Sequence, residues 1–157
     1  MSRNLEVSFN SPQCGWMSIG FDDGVSEFHT TTAHAPHSFA LAGLMQILTA
    51  LIDRSSPEND YTLKWNRDPE EYDFRFVSSG ADVRIEIYQY PTDKREPAER
   101  EMVYGYTGDL REVCRAFAAT FDQLYADRDT DEFEFNWRQP FPFREFAAFE
   151  DALDRVK

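Results

Sequence analysis

The chain is poor in cysteine, glycine and positive charge, and each shortage excludes something. Its two cysteines, Cys14 and Cys114, stand far apart and form no C-x-x-C pair. That argues against a disulfide scaffold. Both thiols are expected reduced and packed, although a bridge between them is left open. The seven glycines are scattered. Gly105-Tyr106-Thr107-Gly108 precedes a helical pattern but lacks the lysine and the spacing of a phosphate-binding loop. No G-x-S-x-G elbow is present. No apolar run reaches membrane-spanning length, and Met1-Ser2-Arg3-Asn4 opens no apolar signal segment, so a cytoplasmic protein is expected. Sixteen basic residues face twenty-nine acidic ones, a net charge of −13. Nucleic acids and anionic membranes are bound by clustered Lys and Arg, so this balance excludes both and leaves a basic protein surface or a cation.

Aromatic side chains are plentiful, with fourteen Phe, seven Tyr and three Trp in 157 residues. That much apolar area supports one folded domain over residues 1–157. Leu5, Val7 and Phe9 alternate with polar neighbours, as do Met17, Ile19 and Phe21. Period-two alternation predicts half-buried strands. Asp22-Asp23-Gly24 predicts a tight turn into a strand over Val25–Thr32. After Pro36, with Ser38 as N-cap, Leu41, Leu44, Met45, Leu48, Leu51 and Ile52 lie on one helical stripe. Four further alternating runs follow, around Tyr61–Trp65, Tyr72–Phe76, Val83–Ile87 and Met102–Tyr106. Only the charged stretch Pro91–Glu101, expected to be mobile, joins them at any length. Asp109 and Glu112 mark a helix start whose stripe runs through Val113, Cys114, Phe117, Phe121 and Leu124. Pro140-Phe141-Pro142 opens a last helix. The predicted fold is α+β: an antiparallel meander sheet of six or seven strands covered by about three helices, in the order βββ-α-ββββ-αα.

Certain of these segments carry a resemblance. They are Cys14-Gly15-Trp16, the apolar helix after Phe39, Lys64-Trp65-Asn66-Arg67-Asp68-Pro69-Glu70-Glu71-Tyr72, and the closing Trp137-x-x-x-Phe141-Pro142-x-x-Glu145. With them the chain resembles a group of small bacterial cytoplasmic proteins. The resemblance implies a shared fold, and it carries over no activity and no functional residues.

Candidate chemistry is sparse. His29, His34 and His37 fall within nine residues, but Pro36 breaks any helix between them and no H-E-x-x-H is present. Loop histidines are more often solvated than metal-bound. Asp127-x-Asp129-x-Asp131 begins like a calcium loop, yet Glu132 stands where glycine is needed and Arg138 where the bidentate glutamate belongs. A solvated acidic connector is the simpler account. Asp68, Glu70, Glu71 and Asp73 surround Pro69, where a turn explains them better than catalysis does. No catalytic residue, metal or cofactor is therefore expected.

The aromatics exceed what alternation places inward. The expectation is a non-catalytic interaction module, in one version an immunity- or antitoxin-like protein, that binds a basic protein partner. Two acidic clusters beside aromatics are its candidate surfaces: Asp68, Glu70 and Glu71 with Trp65, and Asp129, Asp131 and Glu132 with Phe135 and Trp137. The alternative is a small-molecule enzyme or ligand-binding protein with a pocket near His34 and His37.

Overall fold

The computed structural model describes residues 4–54 and 57–156. The elements run β1 (Glu6–Phe9), β2 (Trp16–Asp22), β3 (Glu27–Ala33), α1 (Ala40–Asp53), β4 (Asp60–Asn66), β5 (Glu71–Ser79), β6 (Asp82–Tyr90), β7 (Glu101–Asp109), α2 (Leu110–Asp127), α3 (Phe133–Trp137) and α4 (Phe143–Arg155). The α+β class and the strand order follow the alternation. The seven strands form two antiparallel meanders, β1-β2-β3 and β4-β5-β6-β7.

Turn chemistry sets each register. Cys14 and Gly15, at φ 52° and 84°, are the central pair of a two-residue hairpin turn whose flanks Gln13 and Trp16 exchange both backbone hydrogen bonds. Two positive φ values are what the twist of a tight hairpin requires. Cys14 is therefore exposed on the turn, not packed as expected. At the next turn the Asp23 carboxylate accepts from the amides of Val25 and Ser26, at 2.8 and 2.7 Å.

The two sheets meet through aromatic rings. Phe21 lies 6.1 Å from Phe74 and 5.7 Å from Tyr104, and Phe28 lies 5.8 Å from Tyr72, centroid to centroid. Phe117 of α2 closes the group, 5.9 Å from Phe21 and 6.2 Å from Phe76. All of these pairs but the tilted Phe21–Tyr104 are edge-to-face, a packing that at these distances adds to the area term. Thr120, also on α2, accepts from the Phe9 amide and donates to the Phe9 carbonyl. Those groups face outward on β1, so the helix covers a strand edge that would otherwise be open to pairing.

Helix α1 buries eight of its fourteen residues, as the absence of charge before Asp53 requires, and packs on α4 and β4. Its N-cap is Phe39 with no side-chain cap, so Ser38 does not serve as expected. Asp109 does cap α2, accepting from the Glu112 amide at 3.1 Å. The outer face of the four-stranded sheet is polar, with Arg75 bridging Asp60 and Glu86.

Candidate binding cleft

Three connections converge at one end of the two sheets. They are the linker between β3 and α1, the β4–β5 turn, and the stretch between β6 and β7. Between them lies an open cleft of about 620 Å³, lined by Trp16, Ala33, Ala35, Pro36, Asn66, Asp68, Pro69, Glu71, Thr92 and Asp93. Trp16, the first residue of β2, is 38 % exposed and forms an aromatic wall. Both prolines follow cis peptide bonds, Ala35–Pro36 and Asp68–Pro69. The Arg67 amide donates to the Glu70 carbonyl at 2.8 Å, which closes the β4–β5 turn as the Asp68-Pro69-Glu70 signal predicted. Asp68 and Asp93 are exposed on the rim.

Glu71 lies at the floor and is 2 % exposed. A carboxylate buried this far needs partners for its oxygens. His37 donates to it through Nε2 at 2.7 Å, Arg95 through Nε at 2.9 Å, and Asn66 through its side-chain amide. Burial by itself would raise the Glu71 pKa. The hydrogen bonds from Asn66, His37 and Arg95, with the Arg95 charge, outweigh burial and hold it below the usual value.

Arg95 belongs to the stretch expected to be mobile, and it ties that stretch down, as does Arg100, whose guanidinium lies 4.1 Å from the Tyr88 ring centroid. The Arg95 guanidinium pairs with Glu71 and Asp73, donates to the Tyr72 carbonyl at 3.0 Å, and lies 5.2 Å from the Tyr90 ring centroid. Tyr90 in turn donates its hydroxyl to Asp73 at 2.9 Å. Sequence reasoning missed Arg95, because a basic residue in a charged loop does not reveal which acid it will reach. The available signal was a run of alternating acids, Glu71 and Asp73, on the outer face of a strand.

The expected partner surfaces are redistributed. Trp65 is fully buried, its ring 5.9 Å from Phe9 and 5.7 Å from Phe74, so it is a core residue and offers nothing to a partner. Glu71 is likewise buried, leaving Asp68 and, half-buried, Glu70 as the accessible acids of that cluster. Trp137 is 2 % exposed and packs its ring 6.3 Å from that of His34. Its neighbour Asn136 accepts from the Gly15 amide and, through its side chain, from the Cys14 amide. The Cys-Gly-Trp and closing Trp segments thus form one structural knot. Asp129, Asp131, Glu132 and Phe135 remain exposed, Phe135 at 79 %. Asp131 is held by the Ser11 hydroxyl at 2.6 Å.

The three histidines separate. His29 stands near Glu27 in solvent, His34 Nδ1 meets the Gly15 carbonyl, and His37 meets Glu71. Among the described residues no three His, Cys, Asp or Glu side chains are placed to share a metal ion. Burial pushes the Cys114 thiol up to about 12, so it is a packing group and not a nucleophile. Among the described residues no helix is long and apolar enough to cross a membrane. Comparison with known proteins assigns no family: no family model, no curated protein and no solved structure matches this chain.

Proposed function

We propose that the protein is a non-catalytic binding module whose cleft receives a basic segment of a protein partner. The observation that carries this reading is the Trp16 ring, left 38 % exposed beside the carboxylates of Asp68 and Asp93. An aromatic face next to acids suits a cationic side chain, attracted by both the ring quadrupole and the charge. Flat walls of Pro36 and Pro69 cover the aliphatic stem of such a side chain. The net charge of −13 steers a basic partner toward encounter. An immunity- or antitoxin-like protein that masks a basic toxin is one concrete form of this activity.

A second reading uses the same cleft for a small ligand, since about 620 Å³ is within the usual range of ligand sites. A small-molecule enzyme on His34 and His37 draws less support, because His34 turns to Gly15 and Trp137 while His37 turns to Glu71.

The test is calorimetric titration with hexa-lysine and hexa-arginine peptides, on the native chain and on Trp16→Ala. Loss of affinity on the order of tenfold, with an unchanged melting temperature, is expected. Equal affinity in the two proteins rules out the cleft as the site.

A further inference from the structure

The hydrogen bonds at the end of a strand fix which of its residues face a neighbour. The Leu110 amide donates to the Ala81 carbonyl at 2.8 Å, one step beyond the pairing of Asp82 with Asp109. Antiparallel rungs alternate, so Tyr104, Tyr106 and Gly108 turn their backbone groups toward β6. Val103, Gly105 and Thr107 turn theirs the other way, where β7 has no strand beside it. Gly105 and Thr107 are exposed, and their amides have no acceptor among the described residues. The same alternation on β1 points Phe9 outward, and there Thr120 meets it.

A bare edge is a template for another strand, and proteins guard such edges. Helix α2 covers β1, and the outer edge of β4 carries the charges of Asp60 and Lys64. Strand β7 carries no charge from Met102 to Gly108, and its register shift lies away from there, at Ile87/Tyr88. A groove of about 570 Å³ runs along this edge. Residues 105–109 all line it, from both phases of the strand, so it follows the edge and not one face. Val25, 82 % exposed, and Ser26 form the opposite wall. Five residues at about 3.4 Å each give roughly 17 Å, the length of a short strand.

Charge selects the occupant. Asp23, Asp109 and Glu112 bring three carboxylates to the lining, and no basic side chain joins them. A second copy would bring its own net charge of −13 toward those acids, whereas a basic segment is attracted by them. We propose that the β7 edge docks an extended basic segment of a protein partner, which joins the four-stranded sheet as a further strand. Main-chain bonds to Gly105 and Thr107 supply affinity, and basic side chains at alternate positions meet the acids. The groove shares no lining residue with the Trp16 cleft, so docking there is independent of the cleft.

Two measurements test this. The first titrates the acetylated, amidated peptide Val-Lys-Val-Lys-Val-Lys against the native protein and against Thr107→Pro. A counterpart N-methylated at its two central residues keeps the charge but blocks pairing from either edge. Proline is tolerated on an edge strand where its missing N–H faces outward, so the variant keeps the fold. The native protein is expected to bind the unmodified peptide on the order of tenfold more tightly than the methylated one, and Thr107→Pro to lose a similar factor. The second follows hydrogen exchange in the native protein and in Trp16→Ala, each saturated with the unmodified peptide. Exchange at the Gly105 and Thr107 amides is expected to slow on the order of tenfold or more in both. Equal affinity for the two peptides, no binding of either, or protection confined to the cleft overturns the inference and leaves the cleft reading standing. Protection of these two amides that rises with protein concentration in the absence of peptide assigns the edge to a second copy, and overturns it as well.

Discussion

His37 Nε2 lies 2.7 Å from Glu71 Oε1, an interaction that fastens the linker ahead of α1 to the first residue of β5. Because Asn66 and Arg95 also donate to that carboxylate, it carries charge inside the protein. Its folded pKa lies below the ordinary 4.5. A depressed carboxylate contributes stability that is fully present above the unfolded value and lost as pH falls through the folded one. Glu71→Gln is therefore expected to cost about 3 kcal/mol at pH 7 and to flatten the decline in stability below pH 4.5. Denaturant melts from pH 7 down to pH 3 check both. A variant as steep in acid as the native chain would remove Glu71 from the account.

Gly15 combines a φ of 84° with a crowded position: an added Cβ would lie 2.8 Å from His34 Nδ1. Gly15→Ala is expected to lose about 2 kcal/mol, from backbone strain and the contact with the imidazole. Cys14 occupies the other left-handed position of that turn, where asparagine is the favoured residue. Cys14→Asn is expected to leave stability unchanged or to raise it by a few tenths of a kcal/mol. Thermal melts of the pair distinguish turn geometry from any role of the thiol.

Phe121 is wholly buried, with Phe9, Phe117 and Phe149 within 6 Å of its ring centre. Phe121→Ala is expected to cost about 3 kcal/mol or more, from lost transfer energy plus the cavity left behind. Phe135, 79 % exposed, is the control, and Phe135→Ala is expected to stay within about 0.5 kcal/mol of the native chain. Urea unfolding at a shared slope gives both values.

The elements were legible because period-two and helical stripes report which side of a segment is apolar, and local chemistry reports its ends. Tyr61, Leu63 and Trp65 show this, as do Asp109 and the α2 stripe. Sheet membership was not legible, since alternation is the same whether β3 and β4 share a sheet or face each other across rings. Helix α3 escaped because five residues give barely more than one turn, too little for a period. The misplacement of Trp65 has a plain cause. Trp65 shares the phase of Tyr61 and Leu63, which pack against the core, whereas a surplus of aromatics in the composition carries no information about which ring is exposed. Trp137 carried no such phase, and its burial depends on the hairpin turn at Cys14 and Gly15, more than a hundred residues away. The cleft itself joins positions 16, 36, 68, 71 and 93, and only folding brings those together.

The central claim is that the acids of the cleft, and not negative charge in general, capture a cationic segment. The direct measurement compares two variants of equal net charge, Asp68→Asn/Asp93→Asn in the cleft and Asp129→Asn/Asp131→Asn in the acidic connector. Each is titrated with hexa-arginine at about 20 and 150 mM salt, on either side of a Debye length of roughly 10 Å. The account expects the cleft variant to lose affinity on the order of tenfold at both salts, while the connector variant stays close to native at the higher one. Equal losses in the two variants, vanishing together at the higher salt, would contradict it and reduce the binding to undirected attraction.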